Sequence, residues 1–317
     1  MTVSDLRAAL PVDHDARIQR ALISLAGLSV GDAFGERFFG PPGDAQDLIA
    51  QRSLPPPKWG WTDDTAMALS VVEVLTRHGH IDQDDLAACL ARRHEEEPDR
   101  GYGAGARQIL SSIGAKTPWR VAAAAPFGGQ GSHGNGSAMR VAPLGAYFAE
   151  NIDQVVDQAL LSAQVTHLHP EGQTGAVAVA LAASYAWLHR AVPAAVAGKT
   201  LLEFVEARTP PGEVRLGIRQ AIAMPAGTTV SHSASVLGCG YRISAQDTVP
   251  FCLWCASKYL GNYEDAMWTT VSALGDRDTT CAIVGGIVVL SAGLESIPDR
   301  WFASREGLPL AFKPRKS

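Results

Sequence analysis

Two short acidic clusters contain the side chains best suited to chemistry. They lie near opposite ends of the sequence, at Thr62-Asp63-Asp64-Thr65 and Asp276-Arg277-Asp278-Thr279-Thr280. Carboxylate and hydroxyl oxygens are the ligands that hard divalent cations prefer, and without His or Cys the set favours Mg²⁺ or Mn²⁺ over Zn²⁺. If folding brings the clusters together, we predict a two-metal site whose ligands are Thr62, Asp63, Asp64, Asp276, Asp278 and Thr279.

Each cluster is equally suited to the start of a helix. Thr62 occupies an N-cap position, and Asp63 and Asp64 follow in a first turn where the helix dipole favours negative charge. Taken alone, either cluster is as consistent with a helix cap as with a metal site. The pair favours metal, because a cap needs one acceptor and paired aspartates bring more negative charge than a helix end stabilises.

A two-metal site of this kind has a defined chemistry. Two ions about 3.5 to 4 Å apart can polarise a substrate oxygen and orient a water molecule. The four carboxylates repel one another without the ions and take up protons. We therefore expect the metal-free protein to be less stable, and metal binding to weaken as pH falls.

A glycine-rich segment, Gly128 to Ser137, is the second candidate feature. Closely spaced glycines allow backbone N–H groups to converge on an anion such as a pyrophosphate. The segment is neither a Walker A loop nor a dinucleotide-binding fingerprint, since it has no Gly-Lys-Ser/Thr and no preceding strand. An anion-binding loop and an ordinary turn both remain open at this point.

Two further positions could act on a substrate. His167 lies in Thr166-His167-Leu168-His169-Pro170, just before a helix that begins near Pro170, where it is either a polar residue on the surface or a hydrogen-bonding partner for a sugar. Glu36 follows a glycine at the end of the first strong helix. A carboxylate at such a position can point into a cleft and act as a general base.

The elements that must position these residues are helices. Alanine-rich segments with apolar residues at helical spacing recur, whereas strand-like alternation is scarce. We predict an all-α chain with helices over 18–34, 66–77, 155–166, 172–190 and 279–294. Loops rich in Gly and Pro are predicted over 40–58, 101–105, 126–137, 210–212 and 224–240. No low-complexity linker divides the chain, so we expect a single domain over residues 1–317, with its core at about 18–295 and peripheral termini.

Composition excludes several classes of protein. With 27 Lys+Arg against 32 Asp+Glu and no basic block, nucleic acid is not expected as the main partner. The N-terminus lacks a secretory signal, which favours the cytoplasm. The longest apolar run, Cys281 to Leu294, is shorter than the roughly 20 residues of a membrane span, so no membrane partner is expected.

Five scattered cysteines suggest no disulfide framework. Cys252 and Cys255 have the spacing of half a zinc site, but their apolar neighbours favour a buried helix. Trp59, Trp61 and Trp119 are expected in the core rather than at a substrate rim.

Taken in order, six motifs resemble the ADP-ribosylglycohydrolase family, which includes the dinitrogenase reductase-activating glycohydrolases. The resemblance runs from about residue 18 to about residue 295, and the ordered set is far more specific than any one member. The motifs are Gly27-Leu-Ser-Val-Gly-Asp-Ala-Phe-Gly-Glu36, Trp61-Thr-Asp-Asp-Thr65, Arg100-Gly-Tyr-Gly103, Gly134-Asn-Gly-Ser-Ala-Met-Arg140, Thr166-His167 and Gly275-Asp-Arg-Asp-Thr279.

The resemblance implies a compact orthogonal helix bundle with a dinuclear Mg²⁺ or Mn²⁺ centre that cleaves the glycosidic bond between ADP-ribose and an acceptor. The six predicted metal ligands fall on the family's ligand positions, and Glu36, Asp63 and Asp278 are the implied catalytic residues. The implied substrate contacts are the diphosphate loop Ser132, Gly134, Asn135, Gly136 and Ser137, the ribose contact His167, and the enclosing residues Phe127, His133 and Ile243. The implied partner is an ADP-ribosylated protein or a related conjugate.

Two residues depart from the family pattern, and two rival functions stay open. Arg277 replaces a threonine between the aspartates, which adds a cation beside the site, and His133 stands where a tyrosine is common. A family member without activity could serve as an ADP-ribose-binding or structural protein. A two-metal site could also belong to a nucleotide-diphosphate phosphohydrolase. The acceptor group has no signature in the sequence.

Overall fold

The computed structural model describes residues 10–40 and 43–314, and these residues are helical with no β-strand. Isolated bridges join Trp59 to Arg305 and Gly134 to Ser244. The all-α prediction is confirmed. The helices are α1 (His14–Glu36), α2 (Asp44–Gln51), α3 (Asp63–His78), α4 (Gln83–Glu96), α5 (Ala104–Gly114), α6 (Trp119–Ala124), α7 (Pro126–Gly129), α8 (Ala142–Tyr147), α9 (Ile152–Gln164), α10 (Pro170–Leu188), α11 (Ala194–Arg208), α12 (Glu213–Ala223), α13 (Val230–Leu237), α14 (Ala245–Lys258), α15 (Tyr263–Val271), α16 (Arg277–Ala292) and α17 (Asp299–Ser304), with 3₁₀ turns at Asn135–Ser137, Leu294–Ser296 and Leu310–Phe312.

The five predicted helices correspond to α1, α3, α9, α10 and α16. Three predicted loops are wrong in part, because 40–58 contains α2, 224–240 contains α13, and 126–137 contains α7 and a 3₁₀ turn. Glycine and proline residues flank each of these short helices, so the sequence pattern predicts loops there. Helix α13 has a local cap, since the Thr229 hydroxyl accepts the His232 N–H at 3.3 Å, whereas α2 and α7 have no side-chain cap.

Helices α1 and α16 form the most extensive helix pair in the described structure and run antiparallel. Gly27, Gly31 and Gly35 lie one turn apart along α1 and face the α16 backbone. A Cβ added to Gly31 would stand 2.2 Å from the Cys281 carbonyl oxygen, and one added to Gly35 would stand 2.2 Å from that of Arg277. This close approach places the end of α1 against the start of α16.

An aromatic cluster fixes the end of α1 from the other side. The buried ring of Phe34 stacks on Trp301 at 4.4 Å and meets Trp268 and Trp59 edge-on at 5.0 and 5.8 Å. Trp301 is fully buried although it follows the 18–295 range of the resemblance. Residues of α17 therefore contribute to the core beside the site.

The residues predicted as core are confirmed as core. Trp59, Trp61 and Trp119 are buried, and Cys252 and Cys255 are buried within α14. All five cysteines are free thiols. Within residues 10–40 and 43–314, no helix has both the length and the apolar character needed to cross a bilayer.

The end of α17 and the residues after it bind the segment that leads into α3, and we call these contacts, together with the ion pair between Arg100 and Glu306, the clasp. Trp59 donates its N–H to Ser304 O at 2.7 Å, and Glu306 donates its N–H to Trp59 O at 2.8 Å. The Glu306 carboxylate binds the Arg100 guanidinium at 2.7 and 2.8 Å, and that guanidinium lies 3.5 Å from the centre of the Trp61 ring. The clasp fixes the backbone just before Thr62.

Candidate active site

The buried carboxylate of Asp32 on α1 holds the start of α3. Its oxygens accept the N–H of Thr62 at 3.0 and 3.1 Å and the N–H of Thr65 at 3.0 Å. They also accept the two threonine hydroxyls, at 2.9 and 2.5 Å. Burial raises the pKa of Asp32 to about 6, and these hydrogen bonds oppose the rise.

The two acidic clusters lie next to each other in the fold. Thr279 Oγ1, in the first turn of α16, donates to Asp64 Oδ2 at 3.3 Å. Thr62 Oγ1 lies 3.1 Å from the same oxygen and also accepts the Asp64 N–H at 3.4 Å, so Thr62 is the N-cap of α3. The neighbouring Asp63 donates its N–H to Arg100 O at 2.7 Å.

Asp276 connects the acidic clusters to the glycine-rich segment. It is the N-cap residue of α16, and its Oδ2 accepts Asn135 Nδ2 at 2.7 Å. Asn135 also donates to the Thr248 hydroxyl at 3.1 Å. The Asn135 side chain therefore positions a carboxylate, a role that its place in a predicted phosphate loop does not suggest.

The aspartates are buried and crowd one another electrostatically. Burial, followed by the charges of Asp32 and Asp276, raises the pKa of Asp63 to about 8. Burial first and then the charge of a neighbouring aspartate also raise the pKa of Asp64 and of Asp278. Asp64 Oδ1 and Asp278 Oδ1 are buried without a hydrogen-bond partner in the described structure.

These residues fit a hard divalent cation by their donor chemistry. No group of three or more His, Cys, Asp or Glu side chains in the described part of the chain is arranged as a metal site. The donors are nevertheless all oxygens, and two of the buried carboxylate oxygens lack any other partner. Because like-charged carboxylates repel one another, a shared cation would have to draw them closer.

Glu36 is the last residue of α1 and lies at the exposed rim of this acidic region. Partial burial of its carboxyl raises the Glu36 pKa, and the charges of Asp32 and Asp276 raise it further. Arg277 turns away toward the chain after α1. Its guanidinium donates to Phe38 O and lies 4.7 Å from the centre of the Phe39 ring.

The glycine-rich segment forms a turn pinned from several sides. Ser132 Oγ accepts the Gly134 N–H at 3.1 Å, and Ile243 O accepts the Asn135 N–H at 3.3 Å. Ser137 Oγ donates to Gly172 O at 2.7 Å, which ties the turn to α10. Four of the five residues predicted to bind a diphosphate thus have their backbone or side chain held in place.

The buried ring of His167 lies directly behind this turn. A Cβ added to Gly134 would stand 3.3 Å from His167 Nε2, and one added to Gly136 would stand 3.2 Å from Cε1. Glycine at these two positions therefore leaves room for the ring. Burial, followed by the charges of Arg140 and His133, lowers the pKa of His167 to about 3.

Exposed side chains border the turn on its outer side. The rings of Phe127 and His133 are 4.5 Å apart, and His133 meets His169 edge-on at 5.4 Å. Phe127 and Ile243 are both exposed, and both have a positive φ. The three residues predicted to enclose a ligand, Phe127, His133 and Ile243, therefore lie around the glycine-rich turn.

The structure brings together every residue that the sequence singles out as a site residue. The predicted metal ligands meet where α3 and α16 begin, with Glu36 at their rim and His167 behind the turn. Sequence reasoning assigns no role to Asp32, although it lies in the same motif as Glu36. The sequence does show the Asp32 carboxylate one turn before Glu36 on the same helix. Thr62 and Thr65, which donate to it, become its neighbours only in the fold.

Comparison with known proteins identifies the family. The model of the ADP-ribosylglycohydrolase family matches residues 13–312. The human protein named ADP-ribosylhydrolase ARH3 is 30% identical over 279 residues, which cover 78% of this chain and 75% of that protein. ADP-ribosylarginine hydrolase Tri1 of Pseudomonas putida is 24% identical over 308 residues, which cover 92% of this chain and 76% of that protein.

A solved structure supports the same conclusion. It is titled ADP-ribosylglycohydrolase-related protein complex and superposes with a TM-score of 0.65 at 26% sequence identity. The match covers 92% of this chain and 94% of the solved chain. The likeness therefore extends to the arrangement of the helices.

Proposed function

The chain belongs to the ADP-ribosylglycohydrolase family, and we propose that it hydrolyses the glycosidic bond between ADP-ribose and an acceptor group, with residues 1–317 acting as one domain. One observation carries the proposal: the contact between Thr279 and Asp64, which joins two acidic helix starts beside a pinned glycine-rich turn. An acidic site next to an anion-binding turn suits a substrate with a ribose at one end of a diphosphate.

The acidic region is the proposed binding site for two Mg²⁺ or Mn²⁺ ions. Their ligands would be Thr62, Asp63, Asp64, Asp276, Asp278 and Thr279. The unpartnered Oδ1 atoms of Asp64 and Asp278 support this assignment most directly. When bound, such ions polarise substrate oxygens and lower the pKa of a bound water.

The glycine-rich turn is the proposed diphosphate site. The N–H groups of Gly134 and Asn135 are bonded to Ser132 Oγ and Ile243 O, so the N–H groups of Gly136 and Ser137 would be the donors to phosphate oxygens. His167 would contact the adjoining ribose from behind the turn, and Phe127, His133 and Ile243 would enclose the ligand. Binding energy at the phosphates would thereby position the glycosidic bond against the acidic region.

The carboxylates of the site supply the remaining chemistry. Positive charge develops on the ribose as its glycosidic bond breaks, and the carboxylates of Asp63 and Asp278 would stabilise it. Glu36, at the open rim, would take a proton from the attacking water or pass one to the leaving group. Asp32, one turn before Glu36 on α1, would hold Thr62 and the start of α3 in place beside Glu36.

The first experiment identifies the reaction and the acceptor. Peptides ADP-ribosylated on arginine or on serine, together with poly-ADP-ribose and an acetyl ester of ADP-ribose, are incubated with the protein and Mg²⁺ or Mn²⁺. Release of intact ADP-ribose from at least one of them is expected. Release of AMP would identify a phosphohydrolase instead, and binding of ADP-ribose without any release would identify a binding protein.

The second experiment tests the assigned residues on the best substrate from that panel. Asp278→Ala and Glu36→Gln should each lower kcat by about 100-fold or more under saturating metal, since each removes a group that acts on the reacting atoms. Glu203→Gln, at an exposed position on α11, is the control and should leave kcat unchanged. Near wild-type release by either site variant would show that its role is wrongly assigned.

A further inference from the structure

Arg140 is a fully buried cation whose partners are all neutral. Its guanidinium donates to the Thr166 hydroxyl at 3.0 Å, to Ser162 O at 2.7 Å and to Gly136 O at 3.5 Å. Its Nε has no partner within the described residues. A guanidinium is a donor only, so Thr166 Oγ1 must accept this hydrogen bond.

The Thr166 hydroxyl has one other partner in the described structure. That partner is Nδ1 of His167, at 2.7 Å. The hydroxyl carries a single proton, which it cannot donate to a guanidinium. Both groups are buried, and a hydroxyl proton without an acceptor is costly there, so Thr166 donates to Nδ1.

The other edge of the same ring faces the glycine-rich turn. Nε2 would lie 3.3 Å from a Cβ at Gly134 and 3.4 Å from a Cβ at Gly136. On the opposite side, Gly172 approaches so closely that an added Cβ would stand 3.1 Å from His167 Cβ. The ring therefore lies between the glycine-rich turn and α10.

We propose that Arg140 and Thr166 are positioning residues that fix His167 as a neutral imidazole with its proton on Nε2, so that it presents an N–H donor to an oxygen atom of the ligand at the glycine-rich turn. The order of donation, from Arg140 to Thr166 to Nδ1, leaves the ring proton only one position. Ligand recognition by this donor rests on the function proposed above, whereas the tautomer itself does not.

Imidazole ¹⁵N NMR of the full chain reads the tautomer directly. His167→Gln identifies the His167 signals among those of the nine histidines. In the wild-type protein, Nε2 should be protonated and Nδ1 should be an unprotonated acceptor at neutral pH. A proton on Nδ1, or a doubly protonated ring, would overturn the proposal without reference to any enzymatic activity.

Variants of Thr166 test the relay. Thr166→Ser keeps the hydroxyl and should preserve both the wild-type tautomer and the affinity for ADP-ribose. Thr166→Val removes the hydroxyl at nearly constant volume, so Nδ1 should gain proton occupancy and ADP-ribose binding should weaken about tenfold, as expected for one lost hydrogen bond. An unchanged tautomer in Thr166→Val would contradict the relay. If that variant does not fold, the wild-type spectrum alone still decides the tautomer.

Discussion

Asp32 accepts hydrogen bonds from two backbone N–H groups and two hydroxyls, although nothing local in the sequence distinguishes it from other helical aspartates. The neighbouring Glu36, by contrast, could be singled out because it follows a glycine at the end of the helix, where a carboxylate can point into a cleft. The residues proposed as metal ligands could likewise be singled out from two local clusters. The partners of Asp32 and of Asn135 could not, because those contacts join residues distant in sequence.

Removing the Asp32 carboxylate should destabilise the protein. Asp32→Ala leaves the buried donors of Thr62 and Thr65 without an acceptor, so the free energy of unfolding in urea should fall by roughly 2 to 4 kcal/mol. Asp15→Ala, at an exposed position in the first turn of α1, should change it by less than about 1 kcal/mol. Equal stability of Asp32→Ala and wild type would show that Asp32 does not hold the start of α3.

Asp64→Asn should have opposite effects with and without metal. Because the folded-state pKa of Asp64 is raised, its ionised carboxylate lowers stability at neutral pH, and a neutral amide removes that repulsion. Thermal unfolding in EDTA should therefore occur at a higher temperature than for the wild type. The stabilisation that Mn²⁺ or Mg²⁺ gives the wild-type protein should be lost. An equal response of the two proteins to metal would remove Asp64 from the proposed ligand set.

At the scale of elements, the long helices were predictable and the short ones were not. Helices α1, α3, α9, α10 and α16 show sustained helical spacing of apolar residues. Helices α2 and α13 are eight residues each, too short for that pattern, and helices of this length depend on tertiary packing. The glycines at 27, 31 and 35 recur every fourth residue, which marks a close helix contact, but the sequence does not name the partner helix.

The close contact between α1 and α16 should be sensitive to a single methyl group. Gly31→Ala places a Cβ against the Cys281 carbonyl, so the helices must separate, and the free energy of unfolding should fall by about 1 to 3 kcal/mol. Because the separation also displaces the start of α16 from the end of α1, Mn²⁺ binding measured by calorimetry should weaken. In the control, Gly105→Ala on α5 meets no atom within 4 Å and should be neutral or slightly stabilising. Matching stabilities of the two variants would argue against the packing described.

Across the whole molecule, residues from widely separated segments enclose the acidic region. The sequence made the meeting of the two acidic clusters only a condition, and the fold meets it through the contact between Thr279 and Asp64. The clasp between Arg100, Trp61 and Glu306 could not be anticipated, because its members come from three segments without a common local pattern. The resemblance seen in the sequence motifs stops near residue 295, whereas the family model matches residues 13–312 and so includes Glu306.

The clasp should make stability depend on pH in a defined window. Arg100 lowers the pKa of Glu306, so this carboxylate stabilises the fold above its unfolded pKa of about 4.3, and the contribution disappears as pH falls through its lower folded value. Because Glu306 is partly exposed, Glu306→Gln should cost only about 0.5 to 1 kcal/mol at pH 7. Urea unfolding at pH 7 and below pH 4 should show a difference that vanishes in acid. A difference independent of pH would exclude an ionic origin.

The order of these segments along the chain determines when the acidic region can form during protein synthesis. Asp32 and Glu36 are synthesised early, the second acidic cluster emerges late, and Glu306 follows later still. A nascent chain on the ribosome therefore carries the first half of the acidic region long before the second half exists to meet it. The acidic region can be complete only after α16 has been translated, so ribosome-stalled chains ending before α16 should bind no Mn²⁺ at the proposed metal site.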